Sequence, residues 1–141
     1  KLGDEGFALG LPLRILVADD NAVNRKVARM MLGRFGYAVA LVGNGLEAVE
    51  AVKRADYDLI FMDCQMPEMD GFEATRIIRE IERSRSNARR TRIYALTANV
   101  HEESIRQSKE SGMDGFLAKP IKLADIKAAL AEVAEALSAA N

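Results

Sequence analysis

Five side chains in this sequence are of the types, and stand at the places, that phosphoryl transfer requires. Asp19 and Asp20 close the first apolar run, Asp63 closes the third, Thr97 the fourth, and Lys119 the fifth, just before Pro120. Three carboxylates brought together repel one another and raise each other's pKa unless a cation holds them. Mg²⁺ suits such a site, because it accepts one or two carboxylates plus waters and a phosphate oxygen and needs no full protein cage. Mn²⁺ is the acceptable substitute. In this arrangement Asp20 and Asp63 are direct ligands and Asp19 holds a bound water. The main-chain carbonyl of Gln65, just after Asp63, adds a further oxygen. Phosphoryl transfer is mostly positioning and charge neutralisation. Asp63 then serves as the carboxylate nucleophile that forms an acyl phosphate. The metal and Lys119 neutralise the phosphoryl oxygens from two sides, and the Thr97 hydroxyl donates to one of them.

The elements that must position these groups can be read from the apolar pattern. Strand-like runs occur at Ile15-Leu16-Val17-Ala18, Ala38-Val39-Ala40-Leu41-Val42, Leu59-Ile60-Phe61-Met62, Ile93-Tyr94-Ala95-Leu96 and Gly115-Phe116-Leu117-Ala118. Most are continuous rather than alternating, as expected of strands covered on both faces of a parallel sheet. Helical stretches lie between them. Residues 22–35 place Asn24, Ala28, Met31 and Phe35 on one face, with Gly36 as a stop. Residues 45–54 follow Asn44 as N-cap and carry Leu46, Val49 and Val52 inward. Residues 72–83 carry Phe72, Ile77, Ile78 and Ile81; residues 101–111 are polar; residues 123–139 carry Ile126, Leu130, Val133 and Leu137. The regular (βα)₅ alternation predicts right-handed crossovers and a doubly wound α/β sheet. In such sheets the active groups gather beyond the carboxyl ends of the strands, where these five side chains fall. Residues 1–13, Gly- and Leu-rich with Pro12, read as a linker or tether, and 14–139 as one domain.

The segments Asp19-Asp20-Asn21, Met62-Asp63-Cys64-Gln65-Met66-Pro67-Glu68-Met69-Asp70-Gly71, Ala95-Leu96-Thr97-Ala98 and Lys119-Pro120 resemble the signature of the receiver (response-regulator) family, of which the chemotaxis receiver is one member. They occur in order, and the resemblance spans residues 14–137. It implies a flavodoxin-like sheet in order 2-1-3-4-5 and the site roles given above. It further implies a cis bond between Lys119 and Pro120, and a switch in which Thr97 moves toward the phosphate while an aromatic on the fifth strand turns inward. Phe116 is the matching aromatic; family members more often carry Tyr there, so a hydroxyl contact is missing. Glu68 and Asn99 lie where phosphate lifetime is tuned in the family. The stretches DDNAVNRKVA and MDCQMPEMDGFEATRIIR look most like receivers attached to hybrid histidine kinases. That subtype implies a two-component phosphorelay in which a histidine kinase or histidine phosphotransfer domain is the partner. It implies a domain that is no enzyme by itself beyond Mg²⁺-dependent self-phosphorylation and self-dephosphorylation. Val23 and Met30, outside the core face of the first helix, could dock a partner helix or be incidental surface apolars.

Each of these residues has a blander reading. Asp20 or Asn21 could be an N-cap, Asp63 a turn initiator, Thr97 a cap and Lys119-Pro120 an ordinary loop. Gly43-Asn44-Gly45-Leu46-Glu47-Ala48 fits G-x-G-x-x-A after a strand, which makes a dinucleotide-binding oxidoreductase the rival; that rival leaves Asp19, Asp20, Thr97 and Lys119 unexplained. An aspartyl phosphatase wants a second acid two residues after the nucleophile, where Gln65 stands. A receiver used only for docking is disfavoured because the pocket residues are intact. The 141 residues, 49% hydrophobic and 29% charged, suit one globular domain. A net charge of −1 argues against nucleic acid as partner. The basic stretch 84–91 reads as a solvated loop. One Cys and one His make neither an internal disulfide nor a zinc site. Cys64 and the Met residues near it read as packing residues and His101 as a surface residue. No apolar run is long enough to cross a bilayer, so no membrane contact by this domain and a cytoplasmic setting are expected, free-standing or as the cytosolic part of a membrane-bound kinase. Lys1 in place of Met suggests an excerpt of a longer protein.

Overall fold

The structure, a computed structural model, describes residues 11–85 and 89–140. Its strands are β1 (Ile15–Ala18), β2 (Val39–Val42), β3 (Leu59–Asp63), β4 (Arg92–Thr97) and β5 (Gly115–Ala118). Its helices are α1 (Ala22–Arg34), α2 (Gly45–Arg54), α3 (Gly71–Ser84), α4 (Glu102–Ser111) and α5 (Leu123–Ala140). The strands form one parallel sheet in order β2-β1-β3-β4-β5. This is the flavodoxin-like arrangement.

Strand residues alternate between two cores, as the two-residue side-chain period dictates. Ile15, Val17, Leu59, Phe61, Tyr94 and Leu96 meet α1 and α5, where Ala28, Leu32, Phe35, Ile126, Leu130 and Val133 are buried. Leu16, Ala18, Ile60, Met62, Ile93 and Ala95 meet α2 and α3 through Val49, Val52, Phe72 and Ile78. Both faces of the central strands are therefore apolar, which explains the continuous runs. The edge strand β5 departs from this pattern: Leu117 is buried, but Phe116 is 39% exposed and Ala118 is also open. Having a neighbour on one side only, β5 is less covered than the central strands.

Local signals start and stop the helices. Asn21, Asn44 and Asp70 each accept a hydrogen bond from the N–H three residues on, at 3.0, 2.8 and 2.8 Å. Such side-chain caps satisfy one of the donors that a helix start leaves unpaired. Gly36 takes φ 94° just past α1, and Gly112 takes φ 109° after α4. Leu46 does not face inward as expected; it is exposed, and Ala48 is buried with Val49 and Val52. At 100° per residue, Ala48, Val49 and Val52 define a face from which Leu46 lies roughly 110° away.

Of the tether expected over 1–13, residues 1–10 lie outside the described residues. Leu13 is buried in the core, Leu11 packs against it, and the Leu11 carbonyl accepts a bond from Tyr37 Oη at 2.6 Å. In the basic stretch 84–91, residues 86–88 lie outside the described residues. Flanking them, Arg85 and Arg89 reach Asp56 and Asp58 at 3.7 and 2.6 Å.

Candidate functional site

Register brings the two central acids together across the sequence. β1 and β3 pair Val17 with Phe61 and Ala18 with Met62. Asp19 follows Ala18 just as Asp63 follows Met62, so the two carboxylates leave neighbouring strands side by side. On the other flank β3 pairs Asp63 with Leu96, and β4 pairs Thr97 with Ala118. Lys119 is one residue further on, and its N–H donates to the Thr97 carbonyl at 2.8 Å. The Lys119–Pro120 bond is cis.

The side chains converge accordingly. Lys119 Nζ lies 2.9 Å from Asp63 Oδ2 and 3.3 Å from Asp19 Oδ2. Asp19 is 1% exposed and Asp63 4%, whereas Asp20 stands exposed at the rim. One carboxylate oxygen from each of Asp19, Asp20 and Asp63 lies within 4.8 Å of the other two. Asp63 Oδ1 accepts from the Gln65 N–H at 3.2 Å, and Asp19 Oδ1 accepts from the Asn21 N–H at 2.9 Å. Buried Asp19 Oδ2 makes no hydrogen bond and instead faces the Lys119 ammonium at ion-pair distance, 3.3 Å. The Thr97 hydroxyl is turned to the next loop, donating to the Asn99 carbonyl at 2.8 Å and accepting from its N–H at 2.9 Å.

The electrostatics follow from burial. Burial pushes the Asp63 carboxyl up to about 6; the Lys119 hydrogen bond opposes this and the Asp19 charge adds to it. For Lys119, burial favours the neutral amine, but the Asp63 and Asp19 carboxylates outweigh it and raise its pKa. One ammonium against three carboxylates leaves the cluster negative. With an Asp19 oxygen that makes no hydrogen bond, that excess is what a bound divalent cation would satisfy, so the residues fit an oxygen-liganded metal. Cys64 is buried beside them; burial, reinforced by the Asp63 charge, pushes its thiol up to about 11, so it stays protonated and inert.

The site opens to solvent through a cleft of about 890 Å³ lined by Asp20, Asp63, Gln65, Thr97 and Lys119. Phe116 is not among the residues lining it and is exposed on β5. Ser104 and Gln107 of α4 also line the cleft, as does Asn24 of α1. The first two went unread because α4 carries too little apolar periodicity to show which side faces inward. The sequence puts Asn24 on the inner face of α1, and a polar residue there is the available signal. The cap of α1 is Asn21, so Asp20 is free for other work.

The G-x-G-x-x-A stretch has a structural explanation. A Cβ on Gly45 would lie 2.3 Å from the Met69 carbonyl oxygen, whose bond with the Gly45 N–H is 3.0 Å. Gly45 admits the loop that leaves Asp63, and Asn44 caps α2; no nucleotide is needed to account for either.

Residues 15–131 match the response regulator receiver domain family. The chain belongs to that family. A receiver of the two-component phosphorelay type accounts for the fold and for the acidic pocket together. The receiver domain is 48% identical over 120 residues to the hybrid signal transduction histidine kinase B of Dictyostelium discoideum, covering 80% of this chain and 6% of that protein. It spans only 6–15% of the length of the curated relatives it matches. Among solved structures it resembles the receiver domain of the sensor histidine kinase PA1611 from Pseudomonas aeruginosa PAO1, which has a magnesium ion coordinated in the active-site cleft. That similarity has TM-score 0.73 and 42% identity, over 84% of this chain and 93% of the other. It also resembles a chain in the co-crystal structure of the Saccharomyces cerevisiae histidine phosphotransfer signalling protein Ypd1 and the receiver domain of its downstream response regulator Ssk1. There the TM-score is 0.80 and the identity 31%, over 85% of this chain and 87% of the other.

Proposed function

We propose that Asp63 is the phosphoacceptor, taking a phosphoryl group from a phosphohistidine in a Mg²⁺-dependent reaction, with Mn²⁺ able to substitute. The observation that carries this reading is the pairing of one half-buried ammonium with two buried carboxylates. Lys119 lies 2.9 Å from Asp63 and 3.3 Å from Asp19, and an Asp19 oxygen is left without a hydrogen bond. Asp20, Asp63 and the Gln65 carbonyl would hold the cation directly, and Asp19 through a water. The bound cation supplies charge neutralisation for the phosphoryl oxygens.

The chain's own groups do the rest. An Asp63 carboxylate oxygen forms a bond to phosphorus as the bond from phosphorus to the histidine nitrogen breaks, and the imidazole leaves. Asp63 must be ionised to act, which its pKa near 6 permits at neutral pH. Lys119 neutralises a phosphoryl oxygen and keeps its proton throughout. The Thr97 hydroxyl exchanges its Asn99 partners for a phosphoryl oxygen, and Phe116 turns inward into the space Thr97 vacates. The domain turns over no external substrate beyond its own phosphorylation and dephosphorylation.

The supporting partner is a histidine phosphotransfer domain or histidine kinase, for two reasons. The Ssk1 receiver, similar to this chain, is seen with such a protein. Beside the cleft, α1 exposes Val23 (67%) and Met30 (61%) with Val27 between them, an apolar stripe at helical spacing that suits a partner helix. Similarity to hybrid histidine kinases supports reading this chain as one domain of such a kinase, acting on the cytoplasmic side. Incubation with a small acyl- or amido-phosphate donor, read by intact mass, tests the assignment. One phosphoryl group should add only when Mg²⁺ is present and never to Asp63→Ala. Labelling of Asp63→Ala, or none of the wild type, refutes it.

A further inference from the structure

Asp19 is gripped from four directions. Its N–H donates to the Val42 carbonyl at 3.1 Å, and its own carbonyl accepts from Arg25 Nη1 at 2.7 Å. Its Oδ1 accepts from the Asn21 N–H at 2.9 Å and from Asn24 Nδ2 at 3.4 Å. All of this holding falls on the main chain and on one carboxylate oxygen. The other oxygen, Oδ2, is buried without a hydrogen bond and is the one that faces Lys119.

A carboxylate rotates readily about its terminal torsion, which is broad and roughly two-fold. Here the Lys119 ammonium holds Oδ2 from one side, and on Oδ1 sits a pair of donors. One is a main-chain group that every residue but proline provides; the other is the Asn24 amide, which this sequence supplies specifically. Asn24 is half-buried, on the inner face of α1 in line with Ala28, where an apolar side chain would be ordinary. Among the described residues, its amide donates to Asp19, and it lines the cleft.

We propose that Asn24 is a positioning residue for the metal and phosphoryl site: it acts through Asp19, holding Oδ1 so that Oδ2 is presented to the pocket, while Arg25 fixes the Asp19 main chain. The inference rests on reading the acidic pocket as a Mg²⁺ site. Partners that orient a ligating or water-holding carboxylate from behind typically matter about 10- to 100-fold in metal affinity. Because the Asn21 N–H remains, the lower end applies. Asn24 is a cleaner probe than Arg25, whose removal would also delete a positive charge near the cluster and so strengthen cation binding by Coulomb attraction.

The test is a calorimetric titration of the whole chain with Mg²⁺ alone, for wild type, Asn24→Ala and Asn24→Gln, beside urea unfolding in metal-free buffer. Asn24→Ala should bind Mg²⁺ about tenfold more weakly. Asn24→Gln, which keeps a side-chain amide, should recover most of that loss, and the metal-free unfolding midpoints of the two variants should agree. Wild-type affinity in Asn24→Ala overturns the proposal. So does equal weakening in both variants, or a loss that follows metal-free stability, since either assigns Asn24 a packing role. A wild-type chain that binds no Mg²⁺ refutes the reading of the pocket itself.

Discussion

Replacing Asp63 by Asn tests the electrostatics of the pocket most directly. In metal-free protein the Asp63 pKa is about 6, against an ordinary 3.8, chiefly because the carboxyl is buried. At 1.36 kcal/mol per pKa unit, ionising Asp63 in the folded state therefore costs about 3 kcal/mol near neutral pH. A raised carboxylate contributes stability that is full below its unfolded pKa and is lost as pH rises through the folded value. The window thus opens near pH 4 and closes a little above pH 6. Asn keeps the shape but carries no charge, so the variant lacks this loss. It does forfeit the Lys119 bond and buries an amide, which reduces the net gain to about 1–2 kcal/mol. Urea unfolding in metal-free buffer should accordingly show Asp63→Asn more stable than wild type near neutral pH, with the difference shrinking or reversing toward pH 4. Added Mg²⁺ should then favour the wild type: at tenfold excess over its Kd a bound ion contributes about 1.4 kcal/mol. The variant, short of one acid, should gain little. Equal stability of the two proteins at both pH values, or equal stabilisation by Mg²⁺, would refute the reasoning.

Three further outcomes follow from the same geometry. Lys119→Ala removes the only ammonium of the cluster, so Mg²⁺ binding persists, but phosphorylation should no longer alter the β4–β5 end of the sheet; hydrogen exchange of Thr97 and Phe116 with and without phosphorylation reads this, and normal switching would sink the lysine role. Gly71→Ala puts a Cβ 2.2 Å from the Asp63 carbonyl oxygen, so the β3–α3 junction must shift, at about 1–3 kcal/mol in urea unfolding and with slower labelling of Asp63. Arg79 is buried and bonded to Glu82, Asp114 and the Gly112 and Thr91 carbonyls at 2.7–3.0 Å. Arg79→Met should cost about 3 kcal/mol by leaving those groups short of a partner, while Asp63, at the opposite end of the sheet, is still labelled in the fully folded fraction.

Much of the site was legible because it depends on residue type at the ends of elements. A parallel sheet forces active side chains to the carboxyl ends of its strands, and in this chain those ends carry Asp19, Asp20, Asp63, Thr97 and Lys119. The helix starts at Asn21 and Asn44 are similarly local, since a cap acts over three residues. Leu46 departs from the expected inner face for an equally physical reason. It is three residues from Val49, close enough to share its stripe, but the true face is centred nearer Ala48 and Val52, and only packing against the sheet reveals where that centre lies.

What the chain determined by itself is the alternation of elements, the chemistry of the residues at their ends and the positions of the caps, all set by periods of two to four residues. The tertiary structure decided which oxygens face which. That Asp63 meets Asp19 across 44 residues through the β1–β3 register, that Lys119 sits nearer Asp63 than Asp19, and that the Asn24 amide meets one Asp19 oxygen while Lys119 faces the other are products of strand pairing and helix docking. Such contacts depend on distances of a few tenths of an ångström between groups far apart in the chain, and no local pattern encodes them.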